Sequence, residues 1–328
     1  MTRLFRGSTL LQVVIVSSAL LVGAQAAYAQ SYPARPIRII CPYVAGGGSD
    51  FVARTIAQKL TETIGQSVVV DNRPGGGTNI GAELVARATP DGYTIFLGGT
   101  PTTVNVTLYK KLPFDVIADF APITLTTTAP NLLVVHPSLP VRTVKELIAL
   151  AKSRPGQLTY GSAGIASSNH LSGALFKTMA GVDIVHVPYK GGGAAVTDLL
   201  AGNISMYFST TPSSMPHVRT GRLRALAVTS AKRSDIVPNI PTMAEAALPG
   251  FEMSAWHALL APGATPAPVV KRLADEVVRA LRQPDVKERL AAQGVDAVGT
   301  TPEELAAIIK ENIAKYAKLV KAADIRIE

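Results

Sequence analysis

The residues Ile37–Asp50, IRIICPYVAGGGSD, combine an apolar strand, a three-glycine turn and the start of a helix. Such a turn lets several backbone N–H groups converge on one anion, with the positive end of the helix dipole behind them. A nucleotide phosphate and a small carboxylate are both suitable anions. Because a predicted secretory cleavage site comes shortly before this segment, and dinucleotides are scarce outside the cytoplasm, the pattern favours a small carboxylate and a transport receptor.

A second turn of small residues, Ser162–Ser168 (SAGIASS), also joins a predicted strand to a predicted helix. With His170 nearby, Ser162 or Ser167 makes a Ser–His hydrolase the sharpest catalytic hypothesis. However, Gly161-Ser162-Ala163-Gly164 is one residue short of the G-x-S-x-G nucleophile elbow, and no acidic residue lies near in sequence to orient the imidazole. The missing elbow favours an ordinary histidine at a helix N-terminus.

Patterns for cofactors and metals are incomplete in this sequence. Gly46–Phe51 lacks the third glycine of G-x-G-x-x-G, and there is no G-x-x-x-x-G-K-[ST]. The five histidines lack the H-E-x-x-H spacing of zinc sites. Cys41, the only cysteine, lies in an apolar strand and fits a small buried side chain. We therefore expect no cofactor, no metal and no intramolecular disulfide.

The N-terminus has the three parts of a secretory signal peptide. Arg3 and Arg6 are basic, Leu10–Val22 is apolar, and Ala27-Tyr28-Ala29 is an A-x-A cleavage signal. We expect residues 1–29 to be removed and the mature protein to reside in the periplasm. An uncleaved anchor is the alternative, but the apolar run is marginal for a membrane span. Because no later segment approaches ~20 uninterrupted apolar residues, the mature protein is not expected to span the membrane.

Lys and Arg number 32 against 23 Asp and Glu, a formal net charge of +9. Removal of Arg3 and Arg6 with the signal peptide leaves 30 basic residues against 23 acidic ones, or +7. The basic residues are dispersed and have little aromatic interleaving, so we expect no nucleic-acid partner. A basic surface still biases encounters toward anionic ligands.

Strand-like and helix-like segments alternate along the chain, which predicts an α/β fold with largely parallel sheets. Two long extended segments, Ala121–Pro137 and Phe251–Leu260, are suited to crossing between two lobes. The expected lobes are residues 30–128 with 250–328, and residues 129–249. Ligands collect at the carboxyl ends of strands in open α/β sheets, so the two small-residue turns can face each other across a cleft that closes by hinge bending.

Several long phrases of the sequence resemble one receptor family. They are YPARPIRIICPYVAGGGSD, VVVDNRPGGGTNIGAELVARATPDGYTIFLG, HVPYKGGGAAVTDLLAG, LRALAVTS and WHALLAPGATP, in this order. They are similar to the periplasmic receptors of tripartite tricarboxylate transporters, often called Bug receptors, over nearly the whole chain from Tyr32. The resemblance implies a two-lobed periplasmic-binding-protein fold (type II-like), a small organic carboxylate as ligand, membrane permease subunits as partners, and no catalysis.

The resemblance also assigns positions. The family pattern P-x-x-x-G-G-x-x-D falls on Pro42, Gly46, Gly47 and Asp50, and the second-lobe pattern A-S-x-G-x-G-S-x-x-H falls on Gly161, Ser162, Gly164, Ala166, Ser167 and His170. Gly161 stands where alanine is usual and Ala166 where glycine is usual, and a left-handed backbone would cost alanine more. The expected substrate-binding residues are Tyr43, Ala45, Gly46, Gly47, Gly48, Asp50, Thr100, Thr102, Asn105, Ser162, Gly164, Ala166, Ser167, His170, Ser209 and Thr210.

Charges are sparse in these segments. Pro42–Ser49 (here the glycine turn) and Ser162–Ser168 (the serine turn) contain no Lys or Arg, so we expect backbone amides to hold the carboxylate. Asp50 is expected to order the glycine turn as a helix cap. The loops Thr100–Asn105 and Ser209–Thr211 are hydroxyl-rich and uncharged, which predicts a neutral or hydrogen-bond-accepting far end of the ligand.

Three functions remain open at this level. A monomeric transport receptor is favoured, and a secreted Ser–His hydrolase and a ligand-binding sensory partner of a two-component system are the alternatives. Turnover of an ester would distinguish the hydrolase, and a genomic neighbourhood with permease or two-component genes would separate the other two.

Overall fold

The computed structural model describes residues 32–189, 191–234 and 237–326. The predicted signal peptide, with its cleavage signal Ala27-Tyr28-Ala29, lies outside the described residues. Within these ranges, none of the helices combines the length and the apolar character that crossing a membrane requires.

The described chain forms a ten-stranded sheet in the order β2-β1-β3-β9-β4-β7-β5-β6, with β10 and β8 also paired to β4. The strands are β1 (Ile37–Cys41), β2 (Val68–Asn72), β3 (Thr94–Gly99), β4 (Phe120–Val135), β5 (Thr159–Ser162), β6 (Val185–Pro188), β7 (Met206–Thr210), β8 (Arg224–Val228), β9 (Ser254–Pro262) and β10 (Asp296–Ala297).

Helices cover both faces of this sheet. They are α1 (Gly48–Ile64), α2 (Asn79–Ala86), α3 (Thr100–Leu108), α4 (Val144–Ser153), α5 (Ser168–Ala180), α6 (Gly192–Leu200), α7 (Thr211–Arg219), α8 (Met243–Ala246), α9 (Ala267–Leu281), α10 (Pro284–Ala291) and α11 (Pro302–Ala322), with a short 3₁₀ helix at Gly76–Thr78.

The sheet is mixed, so the expectation of largely parallel sheets was only partly right. β1 pairs in parallel with β2 and β3, and β5 with β6 and β7. All pairings of β4, and that of β3 with β9, are antiparallel. The exceptions are the crossing strands, because a chain that leaves one lobe and later returns runs in opposite directions on its two passages.

Both predicted crossings are present. The first part of β4, Phe120–Pro130, pairs with β9, and its last part, Asn131–Val135, pairs with β7 and β8. Phe251 and Met253 lie in a hydrophobic cluster with β7 and β8 residues, whereas Leu259, only a few residues later, lies in a cluster with β1 and α1. The chain therefore passes between the two halves of the sheet at these two segments.

The last helix contacts both halves. Leu305 and Ile309 of α11 pack in the cluster that contains Phe96 of β3, whereas Tyr316 and Leu319 pack in the cluster that contains Phe208 of β7. Each of these apolar side chains is almost completely buried. The helix thus adds a third connection beside the two crossings.

Helix starts followed the sequence in some places and not in others. Thr143 caps α4 and Thr301 caps α11, and in each helix a glutamate three residues later completes the capping box that this spacing predicts. The cap of α1, by contrast, is Gly47 rather than the expected Asp50. Thr100–Asn105, expected to be a loop, forms the start of α3. Threonine and proline lower helix propensity, but proline is tolerated in a first turn, and Val104 is buried in the core.

Candidate functional site

The sheet register brings two sets of strand ends face to face. Gly99, the last residue of β3, lies opposite His257, which lies opposite Thr127 of β4. Thr210, the last residue of β7, lies opposite Asn131 of β4. Thr127 and Asn131 are four residues apart on β4, so the two sets of strand ends are separated by about 13 Å along this strand. The glycine turn follows β1, beside β3, and the serine turn follows β5, beside β7. Both turns therefore border the gap between the two sets of strand ends, here called the cleft.

Asp50 stabilises the glycine turn through hydrogen bonds of its buried side chain. It is 3% exposed, and its carboxylate accepts hydrogen bonds from the Gly46 amide (2.8 Å), Arg54 Nε (2.8 Å) and Asn72 Nδ2 (2.9 Å). Asn72 Nδ2 also donates to the Tyr43 carbonyl (3.0 Å). Burial alone would raise the pKa of Asp50, but these hydrogen bonds and the Arg54 charge outweigh it, so the net pKa is lowered. The carboxylate is therefore ionised, and its hydrogen bonds go to residues of the glycine turn and its supports.

A buried histidine lies beneath the same turn. His257 Nε2 is 2.8 Å from Ser49 Oγ, and its Nδ1 is 3.1 Å from Thr127 Oγ1. The Tyr43 ring meets the imidazole edge-to-face at 6.3 Å. Burial lowers the pKa of His257 to about 4, so the ring is neutral at neutral pH. His257 therefore links the glycine turn to both crossing strands, a role that sequence reasoning missed.

The serine turn is held by hydroxyl groups. Ser167 caps α5 by accepting from the His170 amide and donates to the Gly164 carbonyl (2.6 Å). Ser162 Oγ accepts from the Gly164 amide (3.1 Å). Ala166 has φ +64, the left-handed conformation for which glycine is the usual residue. A Cβ on Gly161 would lie 2.7 Å from Ile204 Cδ1 and 3.3 Å from Ala195 Cβ, so glycine avoids a close contact at this position.

Two stacked histidines lie beneath the serine turn. The rings of His170 and His186 are 4.0 Å apart and nearly parallel. His170 Nδ1 accepts from the Ala166 amide (3.3 Å), and His186 Nε2 is 2.7 Å from Ser162 Oγ. Burial lowers the pKa of His170 to about 3, with a further effect of His186, and burial lowers the pKa of His186 to about 4. Both rings are neutral supports of the turn.

This arrangement is not that of a Ser–His hydrolase. Ser167 Oγ donates to a carbonyl, and His170 Nδ1 is occupied by a backbone amide, so the two side chains form no nucleophile–base pair. The serine–histidine contact that does form joins Ser162 to His186. Ser162 is fully buried, and in the described ranges no carboxylate is hydrogen-bonded to His186 to orient its ring.

Each turn leaves a pair of adjacent helix amides available. Gly48 and Ser49 are the first two residues of α1, and Ser168 and Asn169 are the first two of α5. Within the part of the chain that is described, no acceptor is hydrogen-bonded to any of these four amides. The first N–H groups of a helix have no partner inside the helix and attract anions. The cleft thus has two pairs of amides suited to one carboxylate group.

Similarity to known proteins shows the family of this chain. A family model described as tripartite tricarboxylate transporter family receptor matches residues 52–325. A relative from Pseudomonas sp. (strain P51), the UPF0065 protein in the tcbD-tcbE intergenic region, is 42% identical over 291 residues, covering 88% of this chain and 87% of the relative. This chain belongs to the tripartite tricarboxylate transporter receptor family.

Solved structures agree on the fold. R. palustris Rpa4515 with adipate superposes with a TM-score of 0.82 at 38% identity, covering 90% of this chain and 99% of that chain. The periplasmic binding protein BugD superposes with a TM-score of 0.79 at 34% identity, covering 90% and 100%. The receptor therefore has the two-lobed α/β periplasmic-binding-protein fold, in a family of periplasmic receptors rather than enzymes.

The threonine-rich side of this receptor's cleft is braced by its own side chains. Thr102 Oγ1 accepts from the Gly99 amide (3.1 Å), and Thr210 Oγ1 is 2.7 Å from Ser213 Oγ. Ser209 Oγ donates to the Thr210 carbonyl (3.1 Å). Thr100–Asn105 is not a loop but the first part of α3, and Ser209 and Thr210 end β7. These predicted ligand residues border the cleft mainly as supports of their own turns.

Asn105 has a distinct position. It is 1% exposed, and its Nδ2 donates to the Gly77 carbonyl (2.7 Å) and to Asn79 Oδ1 (2.9 Å). Gly75, Gly76, Gly77 and Thr78 all have positive φ, and Asn105 braces this loop. The remaining predicted residues of the glycine turn are Tyr43, which is half-buried, and Ala45, which is exposed.

Asn131, on the crossing strand, was also missed from the sequence. Its Nδ2 donates to Ser172 Oγ of α5 (2.9 Å), and its Oδ1 accepts from Asn169 Nδ2 (3.3 Å). Its amide donates to Thr229 Oγ1 (2.8 Å). Asn131 thus connects the serine-turn helix to β4, as His257 connects the glycine turn to β4.

Two further features lie apart from the cleft. An open surface depression of about 480 Å³ is lined by Pro36–Arg38 and Val69–Asn72, at the free edge of the sheet. It lies beside the outer strand β2, whereas the amide pairs lie at the strand ends. Among the residues that the structure describes, no group of three or more His, Cys, Asp or Glu side chains is placed to hold a metal ion.

Proposed function

We propose that this receptor captures one small organic carboxylate between its two lobes and delivers it to the permease subunits of a tripartite tricarboxylate-type transporter. Support comes from the family and from the adipate bound in Rpa4515, a relative that is 38% identical. The observation that carries the proposal is the set of available amides at Gly48, Ser49, Ser168 and Asn169, which flank the cleft from both lobes.

The proposed lobes are residues 30–128 with 250–328, and residues 129–249. The carboxylate is bound where the amides of α1 and α5 converge, and closure moves the lobes about the crossing strands. Asp50, Ser162, Ala166, Ser167 and His170 contribute by holding these amides in place. The protein acts as a monomer in the periplasm after removal of residues 1–29, and it leaves its ligand chemically unchanged.

Proline can remove these amides one at a time. Gly48 and Ser168 are each the first residue of a helix, where proline is tolerated. Their preceding residues, Gly47 (φ −82, ψ 171) and Ser167 (φ −65, ψ 155), already have the extended conformation that a following proline requires. Gly48→Pro and Ser168→Pro should each weaken carboxylate binding by about 1.5–3 kcal/mol, the contribution of one hydrogen bond to a charged group, as measured by calorimetry.

Gly48→Ala and Ser168→Ala are the matched controls, since both keep the N–H and should bind within about threefold of the natural protein. Lys110→Ala, which removes an exposed charge, is a second control. Gly164 is unsuitable for a proline test because its φ is +126 and its amide already donates to Ser162 Oγ. Normal binding by the folded proline variants, together with loss of binding in a lysine variant, would contradict the amide mechanism.

A further inference from the structure

Four helices begin at the cleft, and they differ at their second residue. That residue is Ser49 in α1 and Asn169 in α5, whereas it is Pro101 in α3 and Pro212 in α7. Proline has no N–H. The first two helices therefore each present two adjacent donors at their first two positions, whereas in the other two a proline separates the first amide from the third. The α1 and α5 side of the cleft therefore offers adjacent amide pairs to a carboxylate group. The side formed by residues 98–105 and 208–214, here called the threonine–proline side, lacks such pairs at its helix starts.

Side-chain donors do not compensate on the threonine–proline side. Thr103 Oγ1 donates to the Thr100 carbonyl (3.0 Å), and Ser209 Oγ and Ser214 Oγ both donate to the Thr210 carbonyl (3.1 and 3.2 Å). These hydroxyl hydrogens are used within the turns themselves. The Thr100 and Thr211 hydroxyls are both buried with no hydrogen-bond partner in the described ranges, and two neutral donors do not balance a full negative charge.

The two segments that form this side also carry no positive charge. Residues 98–105 and 208–214 contain no Lys or Arg. Arg54, beside the glycine turn, is committed to Asp50 and to Asn72 Oδ1. Burying an ionised group without a counter-charge or several hydrogen bonds is strongly unfavourable. A second carboxylate closed into this side would be poorly compensated.

The turns at the carboxylate side carry exposed apolar side chains. Val44 in the glycine turn is 66% exposed and Ile165 in the serine turn is 41% exposed. Single exposed apolar residues are ordinary on protein surfaces. Here, one lies on each of the two turns that border the cleft, so closure around a ligand would remove apolar surface of both lobes from water.

We propose that the ligand of this receptor is a monocarboxylate with an apolar body, and that a second carboxylate weakens binding. The proposal rests on the proposed capture of a carboxylate by the α1 and α5 amides. The single carboxylate is bound by those amides, the apolar body contacts Val44 and Ile165, and the far end approaches the threonine–proline side. Specificity against diacids follows from Pro101 and Pro212.

Matched acids test the proposal by calorimetry. The pairs are butanoate and succinate, hexanoate and adipate, octanoate and suberate, and benzoate and terephthalate, each differing by one carboxylate. The monoacid of a binding pair should bind at least tenfold more tightly than its diacid, and monomethyl adipate should bind at least tenfold more tightly than adipate. Among the chain acids, each added methylene should improve affinity by up to about fourfold until the cleft is filled.

Two sets of variants sharpen the result. Pro101→Ala with Pro212→Ala restores two amides, so it should narrow the monoacid preference by at least threefold without weakening the monoacid. Val44→Ser with Ile165→Ser should reduce the gain in affinity per added methylene, so that the longest bound acid loses more affinity than the shortest one. Circular dichroism and thermal melting establish that each variant is folded.

The outcomes separate the two proposals. A diacid that binds more tightly than its monoacid, and that loses affinity in Gly48→Pro, overturns the monocarboxylate inference and keeps carboxylate capture. Equal binding of both members of every pair likewise overturns the inference. Absence of binding for all the acids, in a folded protein, contradicts the proposed capture itself.

Discussion

The glycine turn and the serine turn occupy equivalent places in the two lobes but are held by different chemistry. The glycine turn rests on an ionised carboxylate, Asp50, which binds Gly46, Arg54 and Asn72. The serine turn rests on neutral hydroxyl groups and on two stacked imidazoles. An equivalent set of helix amides can therefore be positioned by an ion-based or by a neutral framework.

This difference sets how each turn responds to its surroundings. An ionised support is sensitive to loss of its charge, whereas neutral supports are sensitive to gain of a charge. One buried histidine, His257, contacts the glycine turn, and two, His170 and His186, support the serine turn. Acid conditions should therefore affect the serine turn more strongly than the glycine turn.

The largest expected effect is a loss of stability in mild acid. The folded pKa values of His170, His186 and His257 are lowered from 6.5 to about 3, 4 and 4. Between pH 6.5 and about 4 the unfolded chain binds protons that the folded chain does not, so stability falls as pH falls through this window. Each histidine should contribute about 1 kcal/mol per pH unit, measured by urea unfolding between pH 7 and 4.5.

Histidine variants show how much of the pH dependence of stability comes from each turn. His257→Gln should remove about one third of the pH dependence, and His170→Gln with His186→Gln about two thirds. Asp50 titrates in a separate window: its folded pKa lies below the ordinary 3.8, so its contribution is present above that value and is lost only at lower pH. A stability that is constant between pH 7 and 4.5 would contradict the neutral, buried state of these histidines.

The next largest effect is expected when the side chain that supports each turn is removed. Asp50→Ala removes three hydrogen bonds, one from a charged partner, and should lower the free energy of unfolding by about 2–3 kcal/mol, less than for a fully buried ion pair because Arg54 is half exposed. Ser167→Ala removes one helix cap and should cost about 0.5–1.5 kcal/mol. Urea unfolding at pH 7 compares the two, and calorimetry should show the same order for ligand affinity. Equal losses would mean that the ion pair gives the glycine turn no additional stability.

Much of the fold was predictable because its signals are local. Thr143 with Glu146, and Thr301 with Glu304, lie three residues apart, and each pair forms a capping box, the structure that this spacing indicates. The start of α1 was misplaced because Asp50 resembles a cap in sequence, although its carboxylate reaches back to the Gly46 amide. Local spacing identifies a helix start without resolving which residue caps it.

The supports of the site were not predictable in this way. His257 lies within an apolar strand sequence and contacts Ser49 from 208 residues away, and His186 lies beside Ser162 only because β5 and β6 pair. Asn131 is the polar residue at which β4 passes between the lobes, a position set by sheet register. Such contacts depend on which strands are neighbours, and no residue spacing encodes that. The ligand-binding role of the sixteen residues assigned from the sequence stays a prediction.

The smallest expected effects come from one residue with positive φ in each turn. Gly46 has φ +81, and a Cβ there would meet no atom within 4 Å, so Gly46→Ala tests backbone strain alone and should cost about 1 kcal/mol. Ala166 has φ +64 and is buried. Ala166→Gly relieves strain but removes a buried methyl and frees the unfolded chain, so the net change should lie within about 0.5 kcal/mol of zero.

Urea unfolding of both variants measures this contrast, and calorimetry with a bound acid reports whether the turns keep their amides in place. A loss of more than 1 kcal/mol in Ala166→Gly would show that the methyl packing outweighs the strain and that alanine is a stabilising choice at this position. A gain of similar size would show the reverse: the serine turn would then retain a strained alanine at a cost in stability, as is typical of residues selected for binding geometry.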